Sequence, residues 1–140
     1  MKGSFISFEG GDGAGKTTQV RLLAARLREM GIDVTTTREP GGSAGAETIR
    51  GLLLSTDSTW GMRAEALLFA AGRADHVEKT IQPALERGEW VISDRYVDSS
   101  RAYQGAAGGL GDEHVMTLHA HGAALMPDRT ILLRFGAAHG

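Results

Sequence analysis

Residues 10–17 read Gly10-Gly11-Asp12-Gly13-Ala14-Gly15-Lys16-Thr17 and fit the pattern G-x-x-x-x-G-K-[ST] of a phosphate-binding loop. Glycines let successive backbone N–H groups point at one anion, and a following helix adds its N-terminal dipole. The pattern predicts that Lys16 reaches the β- and γ-phosphates of a nucleotide and that the Thr17 hydroxyl faces Mg²⁺. A glycine-rich turn without a ligand is the competing interpretation. The loop residues predicted to bind ATP are Gly10, Gly11, Asp12, Gly13, Ala14, Gly15, Lys16, Thr17 and Thr18.

The segments around this loop alternate between strand and helix patterns. Ser4–Glu9 is a short apolar run that suits a buried strand, and Thr17–Met30 has apolar residues at helical spacing before Gly31. Ile32–Thr37 predicts a second strand, followed by a polar loop to Gly45. Further along we predict helices at Ala46–Leu54, Met62–Arg87 (kinked or split at Pro83) and Val97–Tyr103, and a helix that Asp112 caps and that extends to about Leu125. We also predict strands at Trp90–Ser93 and Thr130–Leu133 and a loop at Gly105–Gly111.

This alternation predicts an α/β fold with a parallel sheet and helices on both faces. Ligands are expected at the carboxyl ends of the strands, where two acidic residues lie. Asp94 and Glu9 are therefore the candidate carboxylates that complete the outer shell of the metal beside Thr17. No internal repeat or low-complexity linker interrupts the pattern, so we interpret residues 1–140 as one domain.

Composition excludes several other classes of protein. The chain has 140 residues and no Cys, so it forms no disulfide. Its 15 Lys and Arg against 17 Asp and Glu give a net charge of −2, which argues against general binding to nucleic acid or membranes. No apolar run is long enough for a membrane span, and the N-terminus lacks a signal-peptide pattern, so we expect a cytoplasmic protein. The five histidines lack metal-ligand spacing and are interpreted as structural or solvated.

Three further motifs resemble the thymidylate kinase family. They are Thr37-Arg38-Glu39-Pro40-Gly41-Gly42, Leu67-Leu68-Phe69-Ala70-Ala71-Gly72-Arg73 and Asp94-Arg95-Tyr96, and the likeness extends from about Phe5 to Leu133. The resemblance implies a phosphate-loop nucleoside monophosphate kinase fold that transfers the γ-phosphoryl group of ATP to dTMP, giving dTDP for dTTP biosynthesis. It also implies Mg²⁺ as cofactor, and a homodimer packed through helices.

The resemblance also implies roles for particular residues in binding dTMP. Phe69 corresponds to the residue that stacks on thymine, and Arg73, one helical turn later, to the residue that bonds the base edge. Arg95 corresponds to the clamp on the acceptor phosphate, where a planar guanidinium suits the ligand. The remaining members of the implied set are Arg38 near the phosphate, Asp12 at the sugar 3′-hydroxyl, Tyr103 against a 2′-hydroxyl, Ser100 at the thymine edge and Gln104 nearby; Lys16, Arg95 and Asp12 are the implied catalytic residues.

The chain departs from the family at its end. After Leu133, residues 134–140 match nothing in the family, whose members continue with a lid, more helices and a fifth strand. We therefore expect the lid and the last strand to be absent, through a truncated or frame-shifted gene product or a deliberately shortened chain. No arginine lies between Gly10 and Gly15, so the catalytic arginine is expected in the missing lid. Two alternatives stay open: a kinase for a different nucleoside monophosphate, and a nucleotide-binding remnant without turnover.

Overall fold

The computed structural model describes residues 3–11 and 13–134. Within these ranges the helices and strands follow the predicted alternation. The strands are β1 (Phe5–Glu9), β2 (Val34–Arg38), β3 (Trp90–Asp94) and β4 (Arg129–Leu132). The α-helices are α1 (Lys16–Glu29), α2 (Ala44–Leu54), α3 (Met62–His76), α4 (Gln82–Glu86), α5 (Val97–Ser100) and α6 (Asp112–His121), with π-helical segments at Val77–Ile81 and Arg101–Ala107.

The four strands form one parallel sheet in the order β2-β3-β1-β4. Strands β1 and β3 lie in the middle, in a register that pairs Phe5 with Val91 and Phe8 with Asp94. All five residues of β1 are buried, as expected for a central parallel strand covered on both faces. The predicted parallel α/β fold is confirmed, and the carboxyl ends of β1 and β3 lie side by side next to the phosphate loop.

Successive residues of the central strands point to opposite faces of the sheet and enter two separate cores. On one face, Phe5 and Val91 pack with Ile81 of the first π-helical segment. On the other face, Ile6 and Ile92 pack with α1. Helices therefore cover both faces, as predicted, and the apolar positions of α1 that bury against the sheet are Val20, Ala24 and Leu27.

Several predicted boundaries are shifted by local hydrogen bonds. Helix α2 begins at Ala44 instead of Ala46, because the Ser43 side chain accepts a hydrogen bond from the N–H of Ala46 at 3.3 Å. Strand β2 starts two residues later than predicted and continues to Arg38. The predicted polar loop 38–45 is consequently shorter, and it lies close to the carboxyl end of β2.

The predicted helix Met62–Arg87 is divided into three parts. Helix α3 gives way to a π-helical segment at Val77–Ile81, and α4 follows with Pro83 in its first turn. Proline has no N–H to donate to a carbonyl in the preceding turn, so α-helical bonding is interrupted just before it. The split expected at Pro83 is confirmed, and the wider π turn brings Val77 and Ile81 into the core.

Three predictions in the C-terminal half were wrong. The helix predicted to end at Tyr103 continues as a π-helical segment to Ala107, where the Gly108 N–H donates to the Tyr103 carbonyl at 2.9 Å. Asp112 is not a capping residue: Gly111 occupies that position, and both Asp112 oxygens accept hydrogen bonds from Arg101. Helix α6 ends at His121 instead of near Leu125.

Candidate nucleotide-binding site

The phosphate loop connects β1 to α1. Gly15 directly precedes the helix with φ 91°, a left-handed conformation that a residue with a side chain rarely adopts. The side chain of Lys16 is folded back over the loop, and its Nζ donates to the Gly11 carbonyl at 3.3 Å. A lysine only 7% exposed, beside the N-terminus of a helix, forms a positive site that suits a phosphate.

Thr17 and Asp94 lie next to each other beside the phosphate loop. Thr17 Oγ1 donates to Asp94 Oδ2 at 3.4 Å, and both groups are exposed at the edge of the loop. A hydroxyl, a carboxylate and the phosphates of a nucleotide are the oxygen donors that Mg²⁺ accepts, so these residues fit the ion. Among residues 3–11 and 13–134, no group of three or more His, Cys, Asp or Glu forms a metal cage.

Glu9 is turned away from this position. Its carboxylate accepts hydrogen bonds from the Tyr96 N–H at 2.9 Å and from Ser99 Oγ at 2.6 Å. Burial raises the pKa of Glu9 to about 7, against the opposing effect of these two hydrogen bonds. The geometry therefore favours Asp94 over Glu9 beside Thr17 and gives Glu9 a contact with the turn that follows β3.

A cavity of about 1050 Å³ opens at the carboxyl ends of the strands. The loop, β2 and the end of β3 form its walls, which is the position predicted for a ligand in this architecture. Its lining includes the predicted nucleotide-binding residues Gly13, Gly15, Lys16, Thr17, Thr18, Arg38 and Arg95, and the predicted metal ligand Asp94. Arg38 also pairs with Glu47 at 3.1 Å, and both side chains are well exposed.

A second cavity of about 270 Å³ adjoins the first. It brings together residues that are far apart in the sequence and that were predicted to bind one nucleotide: Phe69, Arg73, Arg95, Tyr103 and Gln104. Ser100 does not belong to the wall formed by the described residues. It is buried behind Arg73, and its Oγ accepts a hydrogen bond from Arg73 Nη2 at 3.1 Å.

Arg95 lines both cavities. Its φ of 75° is unusual for a residue other than glycine and turns the chain sharply after β3. The Arg95 Nη1 atom donates to Ser99 Oγ at 3.3 Å and to Tyr103 Oη at 3.4 Å, and Cζ lies 5.4 Å from the centre of the Tyr103 ring. The guanidinium group is thus held where the two cavities meet.

Gln104 carries a polar atom that a ligand could use. Its side chain is 3% exposed, Nε2 donates to Glu65 at 2.9 Å, and Oε1 has no hydrogen-bond partner within the described part of the chain. A buried amide oxygen without a partner is costly, and a ligand N–H in the adjoining cavity would satisfy it. This observation agrees with the predicted position of Gln104 near the base.

Sequence reasoning did not single out Glu39 and His76, which form a buried polar cluster with Arg73. Glu39 lines both cavities. The available signal was an acidic residue at a strand end inside the TREPGG motif, but its burial cannot be seen in the sequence. Asp12, predicted to contact the sugar, and residues 135–140 of the atypical tail lie outside the described residues.

A parallel sheet with a phosphate loop after its first strand, a Thr–Asp pair between the start of α1 and the end of β3, and an adjoining arginine-lined cavity define the fold of the phosphate-loop nucleoside monophosphate kinases. The family model for thymidylate kinase matches residues 8–139, nearly the whole chain. The chain therefore belongs to the thymidylate kinase family. No helix in the described residues is long and apolar enough to cross a membrane.

Two relatives and one solved structure agree with this assignment. A thymidylate kinase of Rhizorhabdus wittichii is 63% identical over 135 residues, covering 95% of this chain and 65% of the relative. A thymidylate kinase of Afipia carboxidovorans is 52% identical, covering 99% of this chain and 62% of the relative. The crystal structure of thymidylate kinase from Ehrlichia chaffeensis superposes with a TM-score of 0.90 at 38% identity, covering 99% of this chain and 80% of that one. The chain thus spans just under two thirds of the length of the two relatives.

Proposed function

We propose that this protein transfers the γ-phosphoryl group of ATP to dTMP, giving ADP and dTDP, the step that leads toward dTTP. One observation carries the proposal: a nucleotide-sized cavity at the phosphate loop meets a smaller cavity lined by an aromatic ring and two arginines, and Arg95 belongs to both. Such an arrangement suits a donor and an acceptor that exchange a phosphoryl group. The reaction forms a bond from an oxygen of the dTMP phosphate to the γ-phosphorus, and it breaks the bond to the oxygen that bridges to the β-phosphate.

On the donor side, residues 10–18 bind the phosphates of ATP. Lys16 neutralises charge on the β- and γ-phosphates, and the backbone N–H groups of the loop and of the first turn of α1 complete the cradle. Thr17 and Asp94 would hold Mg²⁺, with Glu9 the less favoured candidate. When bound, the ion offsets the negative charge of the phosphates. The distance of 3.4 Å between Thr17 Oγ1 and Asp94 Oδ2 supports this assignment.

On the acceptor side, Phe69 stacks on the thymine ring while Arg73 and Gln104 bind its polar edge. Arg95 clamps the dTMP phosphate, with Arg38 contributing charge from the end of β2. Tyr103 disfavours a 2′-hydroxyl, so the deoxyribose is selected. We further assign Ser100 to the support of Arg73, and Asp12 to the sugar 3′-hydroxyl and to catalysis.

Catalysis then rests on positioning and charge, because phosphoryl transfer needs no covalent intermediate with the protein. Lys16 and Arg95 would stabilise the charge that develops on the transferred group.

We also propose that residues 1–140 belong to one kinase domain, that the protein acts in the cytoplasm and that it is a homodimer packed through helices. Leu52 of α2 and Leu67 of α3 are large exposed apolar residues that support such packing.

A coupled assay for ADP formation with ATP, Mg²⁺ and dTMP tests the proposal directly. We expect turnover that requires dTMP and is lost in Lys16→Ala, together with at least a tenfold loss of ATP affinity in calorimetry, because a charge-assisted contact worth about 1.5–3 kcal/mol is removed. Turnover with a different nucleoside monophosphate in preference to dTMP would contradict the assigned substrate. Nucleotide binding without any turnover would identify a binding remnant instead.

A further inference from the structure

A buried carboxylate lies in the wall that the two cavities share. Glu39 directly follows β2, is 6% exposed, and contacts two buried side chains of α3. Its Oε1 accepts from Arg73 Nε at 2.6 Å, and its Oε2 lies 2.7 Å from His76 Nδ1. Arg73 is 5% exposed and His76 is fully buried. Charges removed from water to this extent are tolerated when they are paired and their remaining hydrogen-bonding atoms are satisfied.

The hydrogen bonds continue through His76 to β2. The Thr37 hydroxyl lies 2.6 Å from His76 Nε2. A carboxylate oxygen accepts, so a ring hydrogen is assigned to Nδ1, which donates to Glu39. The Glu39 N–H also donates to the Asp94 carbonyl at 2.9 Å, which fixes the residue to the end of β3. The Glu39 backbone is therefore fixed by the end of β3, and its carboxylate is held by two side chains of α3.

The other side of Arg73 is fixed by different partners. Its Nη2 donates to the Tyr96 carbonyl at 3.3 Å and to Ser100 Oγ at 3.1 Å, and Cζ lies 5.4 Å from the centre of the Tyr96 ring. Glu39 supplies the only carboxylate among the partners of Arg73 within the described residues. The orientation of the Arg73 guanidinium in the cavity thus depends on Glu39, and that of Glu39 depends on His76.

The loop after β2 closes over this cluster. Gly42 has φ 99°, and a Cβ added there would collide with the His76 ring and approach the Thr37 hydroxyl. The Gly42 carbonyl also accepts from Thr80 Oγ1 at 2.6 Å, so the loop is held down on the imidazole. The His76 ring is fully buried beneath this loop, and burial strengthens its hydrogen bond to Glu39.

We propose that Glu39 and His76 are positioning residues that set the orientation of Arg73, and through it the affinity for the base of the acceptor nucleotide. The proposal rests on the function proposed above. His76 does not line either of the two cavities described above and acts through Glu39 and Arg73, whereas Glu39 lines both cavities and also binds Arg73 Nε. The effect of changing His76 is therefore expected in the KM for dTMP, while the KM for ATP and the chemical step depend on the separate loop around Lys16.

The test compares three variants of His76 and one control. His76→Phe removes both ring nitrogens at similar volume, and His76→Asn keeps a donor near the position of Nδ1. We expect His76→Phe to raise the KM and the calorimetric Kd for dTMP about tenfold, with the KM for ATP and kcat within about threefold, and His76→Asn to recover most of the loss. His76→Gln, which keeps only the Nε2 position, should not recover it. His119→Phe is the matched control, because His119 is also buried but bonds the Leu125 carbonyl instead of Glu39.

A second readout does not depend on nucleotide. The Arg73 Nε–H is buried against Glu39, so its NMR signal should exchange slowly with solvent in the unaltered protein and in His76→Asn, and rapidly in His76→Phe. If His76→Phe does not fold, Thr37→Val removes one hydroxyl and should raise the KM for dTMP in the same direction, by about threefold. Equal dTMP affinity in all variants, or a parallel rise of both KM values, would overturn the positioning role alone. Absence of dTMP binding and turnover in the unaltered protein would overturn the proposed function, and the assignment of a base-binding role with it.

Discussion

At the scale of single residues, Arg95 combines backbone strain with a position between the two cavities. Its φ of 75° costs roughly 1–3 kcal/mol for a residue with a side chain. Hydrogen bonds on both sides compensate: the Arg95 N–H donates to the Phe8 carbonyl at 2.8 Å, and the Tyr96 N–H donates to Glu9 at 2.9 Å. The strained turn aims the guanidinium at both ligand positions, which a regular strand end would not do.

Glu9 supports this turn and gives a prediction about pH. Its pKa in the folded protein is about 7, above the ordinary 4.5, so the folded state holds the proton more tightly than the unfolded state. The stabilising effect of the protonated form is complete below pH 4.5 and is lost as the pH rises to 7, by about 3 kcal/mol. Urea unfolding should give a lower unfolding free energy at pH 7.5 than at pH 5 for the unaltered protein. The same comparison for Glu9→Gln should give a much smaller decrease.

Other carboxylates titrate as well. The quantity to compare is therefore the change in unfolding free energy between pH 5 and pH 7.5 in the unaltered protein and in Glu9→Gln. The pKa values of Glu47, Glu89 and Asp112 are lowered by their hydrogen bonds, and these groups act at lower pH and equally in both proteins. A Glu9→Gln protein with the same pH dependence as the unaltered one would show that the Glu9 carboxyl is already ionised at pH 5.

At the scale of elements, the junction of β1 with the phosphate loop depends on a close approach of two strand ends. Gly10 has φ 140°, and a Cβ there would collide with the Leu133 carbonyl beyond β4. The Leu133 N–H donates to the Glu9 carbonyl at 2.9 Å, so the two strand ends cannot simply separate. The first glycine of the loop is thus required by the neighbouring strand as well as by a phosphate.

We expect Gly10→Ala to lower the unfolding free energy by about 2 kcal/mol and to weaken ATP binding, because the loop must shift to relieve the collision. Gly11→Ala is the matched control for the unfolding free energy alone, since no heavy atom outside its immediate neighbours lies within 4 Å of a Cβ at that position. Thermal unfolding and ATP calorimetry measure both effects. Equal unfolding midpoints for the two variants would contradict the role assigned to the β1–β4 contact.

At the scale of the whole molecule, the central strands β1 and β3 divide the interior into two cores, one on each face. The core with Phe5 and Tyr96 contains the π-helical segment, whose Ile81 is fully buried. Phe5 and Tyr96 meet edge to face at 4.8 Å between ring centres, directly below the strained turn at Arg95. Packing on this face therefore supports the position of the acceptor cavity.

Ile81→Ala should lower the unfolding free energy by about 2–5 kcal/mol, because it removes buried methyl groups and leaves a cavity between the π-helical segment and the sheet. Leu22→Ala provides the control: Leu22 is 55% exposed on α1, and its truncation should cost less than about 0.5 kcal/mol. Urea unfolding with a common m-value measures both. A cost below 1 kcal/mol for Ile81→Ala would show that the segment does not form part of the stabilising core.

The sequence by itself determined the features that depend on neighbouring residues. The phosphate loop from Gly10 to Thr17, the strand before it and the helix after it are contiguous, so their geometry follows from local glycine conformations and apolar spacing. The alternation of strands and helices likewise predicted the parallel sheet with two covered faces. Phe69 and Arg73 were placed on one helical face because they are four residues apart. Predicted helix boundaries were wrong where a side chain has a partner elsewhere in the chain: Asp112 does not cap α6, because its carboxylate accepts from Arg101.

Only the tertiary structure decided the strand order, the π-helical segments and the polar cluster around Arg73. Glu39 and Arg73 are separated by 34 residues, and Glu9 and Ser99 by 90, so no local pattern reveals that these groups are buried against each other. The motifs shared with thymidylate kinases predicted which residues belong to the proposed acceptor site. That Ser100 lies behind Arg73, that Glu9 faces Tyr96 and that His76 supports Glu39 follow from packing, because the burial that makes such hydrogen bonds strong exists only in the folded chain.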